Sequence, residues 1–433
     1  MGTYLTRTPS SAGNRGIWTV SCWVKKSNPT HRTVLFGTPG SDNNSTMSFI
    51  FHQDSGVRFG VNTFNVFTTT NTFVMRDPSS WYHLVLSIDT SQGSSDNRTK
   101  FYINGERFTN FDGNNLNSIT NGFQYGWNNT ILHTLGAENA GSPADFMDGY
   151  ITNFVNIDGQ ALGPSSFGET DSTTGEWKPK ADLSGLTFGT NGFWQKYESA
   201  GNLGLDSSGN SNTYTVNNAG TNAKTVDTAS NNFCTFNALD KASNVTLSKG
   251  NLIAAIAGAG QTRSVASTMA ISKGKWYWEV YYTADLVSGF VGLVSADIGW
   301  SVNSTAYPSS GVNDNVGYND GGTKYINGSG SSYGASWASG DTISVAVDLD
   351  NNTTIFYKNG ASQGSISKTF TGSYYPVVQH QSSNGTSNFH LNTGNPAYSI
   401  TSGNADANGH GNFEYAVPSG YYALCTKNIN QYG

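Results

Sequence analysis

Paired carboxylates are candidate catalytic groups, because two carboxyl groups about 5–9 Å apart can cleave a glycosidic bond. Alternate residues of a β-strand share one face, so a Glu-X-Asp string can supply such a pair. The sequence has Glu169 and Asp171 in this spacing, while Glu279 stands alone between aromatic residues. We therefore keep a glycan depolymerase as an alternative and expect the protein not to be an enzyme.

No other set of nucleophile and base stands out. The seven histidines are dispersed, and no Gly-X-Ser-X-Gly string opens a helical pattern. The three cysteines, Cys22, Cys234 and Cys425, lack the spacing of metal ligands. Cys22 lies in an apolar strand pattern and is expected to be a buried thiol. Cys234 and Cys425 flank the second half of the chain and could pair or remain free.

Loop aromatics are the stronger binding candidates. A sugar ring stacks its C–H face on an aromatic face while nearby polar groups bond its hydroxyls. Gly-, Ser- and Asn-rich segments of the second half contain six such aromatic residues: Trp300, Tyr307, Tyr318, Tyr325, Tyr333 and Trp337. Their polar neighbours are Asn313, Asp314, Asn319 and Asp320. The alternative, that any of these rings belongs to the core or packs a loop, stays open.

Composition argues against several classes of protein. Only 12% of the 433 residues are charged, the net charge is −6, and the few Lys and Arg residues form no basic stripe for nucleic acid. The longest apolar run, residues 252–260, is far shorter than the roughly 20 residues that cross a bilayer. We expect neither nucleic-acid binding nor membrane insertion.

Alternation of residue types predicts the strands that position these side chains. Residues 341–350 alternate between apolar and polar or small side chains, which predicts a strand with one buried and one solvent-facing side. Asn351-Asn352 and Asn359-Gly360 supply the turns of a hairpin. Residues 81–89 and 100–105 repeat the pattern, and the strings FYING and FYKNG are the same device used twice. An apolar sheet face needs a second sheet to cover it, so the sequence predicts two β-sandwiches.

Four strings resemble a laminin-G-like, concanavalin A-like lectin domain over residues 1–165. They are, in order, WTVSCWVKKS, SSWYHLVLSIDT, KFYINGERF and FMDGYITNFVNIDGQAL. Glucanases of this kind carry a third carboxylate after Glu-X-Asp, at a position that Thr174 occupies here. The resemblance also implies that structural calcium could bind, with Asp42-Asn43-Asn44 and Asp96-Asn97 as candidate loop ligands. No metal site is named, and no other cofactor is expected.

The last part of the chain, residues 231–433, resembles a SPRY domain followed by a tail. The resemblance is carried by GKWYWEV, GFVGLV, DTISVAVDLD and FYKNG in the usual order. SPRY domains are usually binding modules. Residues 166–230 lose the alternation and are predicted to be a partly ordered connector. The predicted fold class is therefore all-β, with two antiparallel β-sandwiches of concanavalin A-like and SPRY type, jelly-roll-like and joined by an irregular connector.

Residues 158–179 and the strings GTNGF, DSSGN and NNFCTFN resemble a cassette of bacteriophage structural proteins, especially those of marine phages. This resemblance implies a non-enzymatic virion surface protein, namely a tail fibre, tail tip or capsid decoration, present as a homo-oligomer or in many copies. It would act in attachment, docking to other virion proteins and binding host cell-surface glycans. One alternative is a purely structural virion subunit without a ligand, and the other is the depolymerase.

Overall fold

The computed structural model describes residues 2–39, 46–54, 56–61, 64–139, 142–220, 223–257, 261–284, 289–296, 314–382 and 385–433. Contacts divide the chain into two compact units, Met1–Lys224 and Thr225–Gly433. Each unit contains two large facing β-sheets, so the predicted all-β fold with two sandwiches is confirmed. The residues predicted to form the connector belong to the first unit as far as Lys224.

The strands of the first unit, numbered along the chain, form two large antiparallel sheets and two separate hairpins. The eight-stranded sheet has the order β10 (Gly113–Asn114), β6 (Phe64–Thr68), β5 (Val57–Val61), β4 (Met47–Phe51), β3 (Thr33–Thr38), β11 (His133–Leu135), β1 (Tyr4–Arg7) and β18 (Thr215–Asn217). The six-stranded sheet has the order β17 (Phe193–Gln195), β14 (Gly149–Asp158), β2 (Ile17–Lys26), β7 (Tyr82–Asp89), β8 (Thr99–Ile103) and β9 (Glu106–Phe108). The hairpins pair β12 (Glu138–Asn139) with β13 (Pro143–Ala144), and β15 (Gly168–Thr170) with β16 (Trp177–Pro179).

The six-stranded sheet is buried on both faces. Its inner face packs against the eight-stranded sheet in the main core. On its outer face, Val85 and Ile157 pack against Phe167, Leu183 and Phe188, which come from the segment that follows the sandwich. This segment forms a third layer, and its strands β17 and β18 extend both large sheets by pairing with β14 and β1.

The second unit also contains two facing sheets. The seven-stranded sheet has the order β19 (Phe236–Lys241), β22 (Gln261–Ser267), β31 (Tyr374–Ser382), β24 (Gly289–Ser295), β25 (Asn315–Asn319), β26 (Thr323–Ile326) and β27 (Ser329–Ser332). The eight-stranded sheet has the order β20 (Val245–Ser248), β21 (Ile253–Ala257), β32 (Thr386–Asn392), β23 (Lys275–Ala284), β28 (Thr342–Asp348), β29 (Thr353–Lys358) and β30 (Ala361–Ser367), with β33 (Tyr422–Ala423) paired in parallel to β23.

The predicted hairpin is present as β28 and β29, but its predicted solvent face is wrong. Ser344, Ala346 and Asp348 were expected to face water, and all three are buried. Their face of the sheet is covered by the C-terminal segment, whose Phe413 and Ala423 pack in a second apolar cluster with Ala346. Each sandwich therefore has one sheet whose outer face is sealed by the chain that follows it.

Helices are short in the described ranges of the chain. The two α-helices are α1 (Ser95–Arg98) and α2 (Thr426–Tyr432), and 3-10 turns occur at Leu116–Ser118 and Pro164–Ser166. None of the helices described is long and apolar enough to cross a membrane. Cys22, Cys234 and Cys425 are buried free thiols, so the pairing left open for Cys234 and Cys425 is not formed.

Candidate functional site

Two of the aromatic residues predicted to stack on sugars lie in the core. Tyr318 and Trp337 are 0% and 2% exposed. Tyr318 packs against Trp337 and Phe356, and Trp337 makes an edge contact with Tyr282. A buried ring cannot offer its face to a sugar, so the prediction fails for these two residues. Trp300, Tyr307 and Asn313 lie outside the described residues.

The other two aromatics, Tyr325 and Tyr333, are half-buried on neighbouring parts of the second sandwich. The hydroxyl of Tyr333 accepts the backbone N–H of Phe356 at 3.3 Å and donates to the carbonyl of Gly364. The β29–β30 register shifts beside Phe356, so Tyr333 fills an irregular point in the ladder. The Tyr325 ring lies 6.1 Å from the Phe290 ring. Burial raises the pKa of both tyrosines.

The polar candidates serve the framework. Asp314 pairs with the buried ammonium of Lys368 and accepts the hydroxyl of Tyr374 at 2.8 Å. Asn319 accepts the backbone N–H of Thr323 at 2.8 Å and so closes its own turn. Asp320 is nearly buried, and burial raises its pKa. Asp314 and Asn319 therefore hold loops in place, while the charge of Asp320 contributes to the raised pKa of Tyr325.

Glu279, considered above as a lone carboxylate, is an internal anchor. One of its oxygens accepts the hydroxyl of Tyr277 at 3.0 Å and the N–H of Tyr415 at 2.8 Å. The other accepts the N–H of Glu414 at 3.0 Å and the side-chain amide of Asn392 at 3.1 Å. Burial raises its pKa, and the side chain is 0% exposed. The bonds from Glu414 and Tyr415 fasten the C-terminal segment to β23, while those from Tyr277 and Asn392 come from β23 itself and from β32. Together they leave no open position for a substrate.

The Glu169–Asp171 pair lies on the exposed hairpin of β15 and β16. Lys178 approaches the two carboxylates at 2.7 Å for Asp171 and 3.8 Å for Glu169. The hydrogen bond from Lys178 holds the pKa of Asp171 well below its usual range. A general acid needs a raised pKa, so Asp171 is not suited to that role in a glycosidase.

A serine–histidine pair that the sequence did not reveal lies under the third layer. Ser21 Oγ is 2.8 Å from Nε2 of His83, and the indole N–H of Trp177 donates to Nδ1 at 3.0 Å. An indole nitrogen can only donate, so Nδ1 must accept and the ring proton must lie on Nε2. Burial lowers the pKa of His83 to about 3. The imidazole therefore donates to Ser21 and cannot remove its proton, which is the opposite of nucleophile activation.

Five loop residues were the candidate ligands for calcium. Asp42, Asn43 and Asn44 lie outside the described residues, and Asp96 and Asn97 lie in α1, where the carbonyl of Asp96 accepts a bond from Arg107. Over the ranges the structure describes, there is no group of three His, Cys, Asp or Glu residues that could hold an ion. A calcium site stays a prediction.

Known families match the two sandwiches. Residues 2–165 match the family described as the Concanavalin A-like lectin/glucanases superfamily, and residues 275–394 match the SPRY domain. The chain carries one domain of each kind. The resemblance to a concanavalin A-like domain and the resemblance to a SPRY domain are thereby confirmed.

Curated relatives are similar over about a third of the chain. Identity is 32% over 146 residues with Ran-binding protein 9 of Homo sapiens, covering 32% of this chain and 20% of the relative. It is 32% over 153 residues with Ran-binding protein 9 of Xenopus tropicalis and 27% over 153 residues with the Ran-binding proteins 9/10 homolog of Drosophila melanogaster, covering 26% and 15% of those relatives. The chain thus spans about a quarter or less of the length of these relatives.

Solved structures similar to about a third of the chain include SPRY domains. The SPRY domain of human HERC1 matches with a TM-score of 0.32 and 20% identity, covering 36% of this chain and 96% of that one. The TRIM65 PSpry domain matches with a TM-score of 0.30 and 15% identity, covering 37% and 91%.

The relatives contradict the predicted biological setting. The proteins named above are Ran-binding proteins 9 and 10 of animals, not virion proteins. The prediction of a phage virion surface protein, whether tail fibre, tail tip or capsid decoration, is therefore wrong, as is its location on a virion. The predicted virion partners and the alternative of a structural virion subunit depended on the same resemblance and are not supported.

Proposed function

We propose that the protein is a non-enzymatic binding protein whose SPRY sandwich docks an extended segment of a partner protein along β27. The exposed edge of the seven-stranded sheet carries this proposal. All four residues of β27, Ser329–Ser332, are exposed, and β27 pairs with β26 on one side as the last strand of its sheet. A terminal strand leaves backbone donors and acceptors open to another chain.

Two of the other three edges of the second unit, β19 and β30, are less suited to pairing. The third, β20, has a regular register like β27, but its Val245 is buried and its Leu247 is half-buried. Natural edge strands are protected by charges, proline or bulges. Strand β19 at the opposite edge carries Asp240 and Lys241, and its pairing with β22 is irregular. Strand β30 contains a register shift against β29. Strand β27 has neither charge nor irregular pairing, with the regular register Ile326↔Ser329 through Thr323↔Ser332.

Hairpin geometry indicates which groups would make the contact. Ile326 and Ser329 close the two-residue turn as a hydrogen-bonded pair, so Gly330 and Ser332 turn their N–H and C=O groups to the open side. The Tyr325 ring lies over Gly330, where an added Cβ would be 3.0 Å from the ring. A partner side chain opposite Gly330 would thus meet the half-exposed face of Tyr325, which favours an apolar residue there.

Two further observations support binding without catalysis. Of the carboxylates considered as catalytic, Glu279 is bonded to the C-terminal segment and Asp171 is paired with Lys178. The matched relatives are named for binding a protein, Ran. We infer that this chain, like those relatives, binds a protein. Its edge strand β27 would bind that partner as an extended segment.

The binding proposal is tested with a displayed library of random peptides selected on the immobilised full chain. Selected peptides should bind the wild-type chain and lose at least about tenfold in affinity for Tyr325→Ala, since buried aromatic contacts dominate binding energies. The control is Tyr4→Ala, which removes a half-buried tyrosine from the first unit. Failure to select any peptide, or equal binding to Tyr325→Ala, would contradict the proposal.

The absence of catalysis has its own test. Incubation of the full chain with plant and bacterial polysaccharides should release no reducing ends above a blank. Release that disappears in Glu169→Gln or Asp171→Asn would overturn the non-enzymatic assignment and restore the depolymerase, while leaving the peptide measurement to be judged separately.

A further inference from the structure

Three Asn-Gly turns in this protein have the same backbone conformation. Asn104 and Gly105 have φ angles of 48° and 90°, Asn327 and Gly328 have 47° and 80°, and Asn359 and Gly360 have 48° and 77°. Positive φ at both positions is the geometry of a type I′ hairpin turn. The turns join β8 to β9, β26 to β27 and β29 to β30, so they form a natural set for comparison.

The same backbone hydrogen bond ties each turn to the neighbouring strand. The N–H of Asn104 donates to His83 at 2.8 Å, that of Asn327 to Asn315 at 3.0 Å and that of Asn359 to Thr342 at 2.9 Å. These three bonds alone would make the turns equivalent. The side chains of the asparagines make them different.

Two of the turns lock the asparagine side chain. Oδ1 of Asn104 accepts the N–H of His83 at 2.8 Å, and Oδ1 of Asn359 accepts the N–H of Thr342 at 2.8 Å. The amide nitrogen of Asn359 also donates to Asp341 at 2.6 Å. An aromatic ring covers the glycine of each locked turn: an added Cβ would lie 3.1 Å from Trp177 at Gly105 and 2.6 Å from Tyr415 at Gly360.

The third turn leaves the side chain of Asn327 free. Asn327 is exposed, and across the described ranges its side chain makes no hydrogen bond or ion pair. Its Cγ can therefore rotate toward the backbone nitrogen of Gly328 without breaking an existing bond. Glycine adds no Cβ to hinder that approach.

We propose that Asn327 is a self-modification site at which the chain deamidates, while Asn104 and Asn359 are protected. The nitrogen of Gly328 attacks Cγ of Asn327, the bond from Cγ to the amide nitrogen breaks, and ammonia leaves with the proton from Gly328. Water then opens the succinimide to aspartate or isoaspartate. The step needs only water, and it places a negative charge, and in isoaspartate an extra backbone carbon, at the start of β27.

The experiment follows all three sites in one sample of the folded full chain. The protein is incubated at mildly alkaline pH, and peptide mapping by mass spectrometry measures conversion of each amide to a carboxylate. We expect Asn327 to convert at least about tenfold faster than Asn104 and Asn359, the factor expected if reaction at the locked sites must first break one or two side-chain hydrogen bonds. An isoaspartyl methyltransferase should label the product at Asn327.

The same incubation in concentrated urea is the matched control. All three asparagines precede glycine, so their rates should converge once the structure is lost. Equal rates in the folded protein, or slowest conversion at Asn327, would overturn the proposal. A difference that persists in urea would also overturn it, because the cause would then be local sequence and not the locked side chains. The outcome is independent of whether β27 binds a peptide.

Discussion

The side-chain oxygen of Asn359 accepts the backbone N–H of Thr342 at 2.8 Å, while the N–H of Asn359 donates to the carbonyl of Thr342 at 2.9 Å. The amide side chain thus completes a pair of bonds between a turn and the adjacent strand. Asn104 makes the same pair with His83 in the first unit. The two sandwiches therefore fix their FYING and FYKNG hairpins by one mechanism.

Removing this bond should cost stability. Asn359→Ala should lower the free energy of unfolding of the second unit by about 1–2 kcal/mol more than Asn327→Ala, because it breaks bonds to Thr342 and Asp341 that Asn327 lacks. Both variants place alanine at a positive φ, so that penalty cancels in the comparison. Urea unfolding measures the difference, and equal losses would show that the side-chain bonds contribute nothing.

The carboxylate of Glu279 should determine whether the C-terminal segment stays docked. Glu279→Ala leaves the N–H groups of Glu414 and Tyr415 without an acceptor, which should cost about 3 kcal/mol. Hydrogen exchange should show faster exchange at these two amides. The control is the exposed Glu169→Ala, for which a change within about 0.5 kcal/mol is expected. Unchanged protection in Glu279→Ala would contradict the anchoring role.

Burial of His83 should make the first unit less stable in acid. Its pKa is lowered by burial from 6.5 to about 3, so the unfolded chain binds the proton more readily than the folded chain. The stabilisation is present above pH 6.5 and is lost as pH falls toward 3, by up to about 1.4 kcal/mol per pH unit.

His83→Gln should flatten this part of the pH profile of the first unit. Unfolding free energies of the variant and the wild type, measured between neutral pH and pH about 4, give the difference. His410→Gln, in the other unit, is the control and should leave the profile of the first unit unchanged. A wild-type profile parallel to that of His83→Gln would refute the assignment.

The Asp314–Lys368 pair should be costly to break from one side. The Lys368 side chain is 1% exposed, so Asp314→Ala leaves a buried ammonium without its carboxylate and should cost about 3 kcal/mol. The double variant Asp314→Ala/Lys368→Met should recover part of that loss in thermal and urea unfolding. For comparison, Lys178→Met disrupts an exposed pair and should cost less than Asp314→Ala. Additive losses in the double variant would show that the pair is not coupled.

Local pattern was sufficient for the strands and turns. The alternation in residues 81–89 and 341–350 predicted β7 and β28, and Asn359-Gly360 predicted the turn between β29 and β30. These features depend on side-chain alternation and on the tolerance of Asn and Gly for positive φ, which act within a few residues. The two-sandwich fold follows because each apolar strand face needs a partner sheet.

The biological setting could not be predicted from local side-chain patterns in this way. The phage prediction rested on similarity of the segments around residues 158–179, and it failed when the relatives proved to be Ran-binding proteins of animals. A polar, turn-rich segment can resemble segments of unrelated proteins, so its similarity identifies neither a binding surface nor a partner. The sequence also did not separate buried from accessible aromatic residues. Tyr318 and Tyr325 stand in similar Gly- and Asn-rich sequences, and only Tyr318 is buried.

The sequence by itself determined the all-β class, the two sandwich domains and the turns at Asn104-Gly105 and Asn359-Gly360, because each is encoded by neighbouring residues. Only the tertiary structure decided which sheet faces are buried and which side chains are hydrogen-bonded. Ser344 and Ala346 are buried because a segment some 70 residues later covers them, and His83 is fixed as a donor to Ser21 because Trp177 arrives from the third layer. Burial and hydrogen-bond partners depend on segments distant along the chain, which no local pattern specifies.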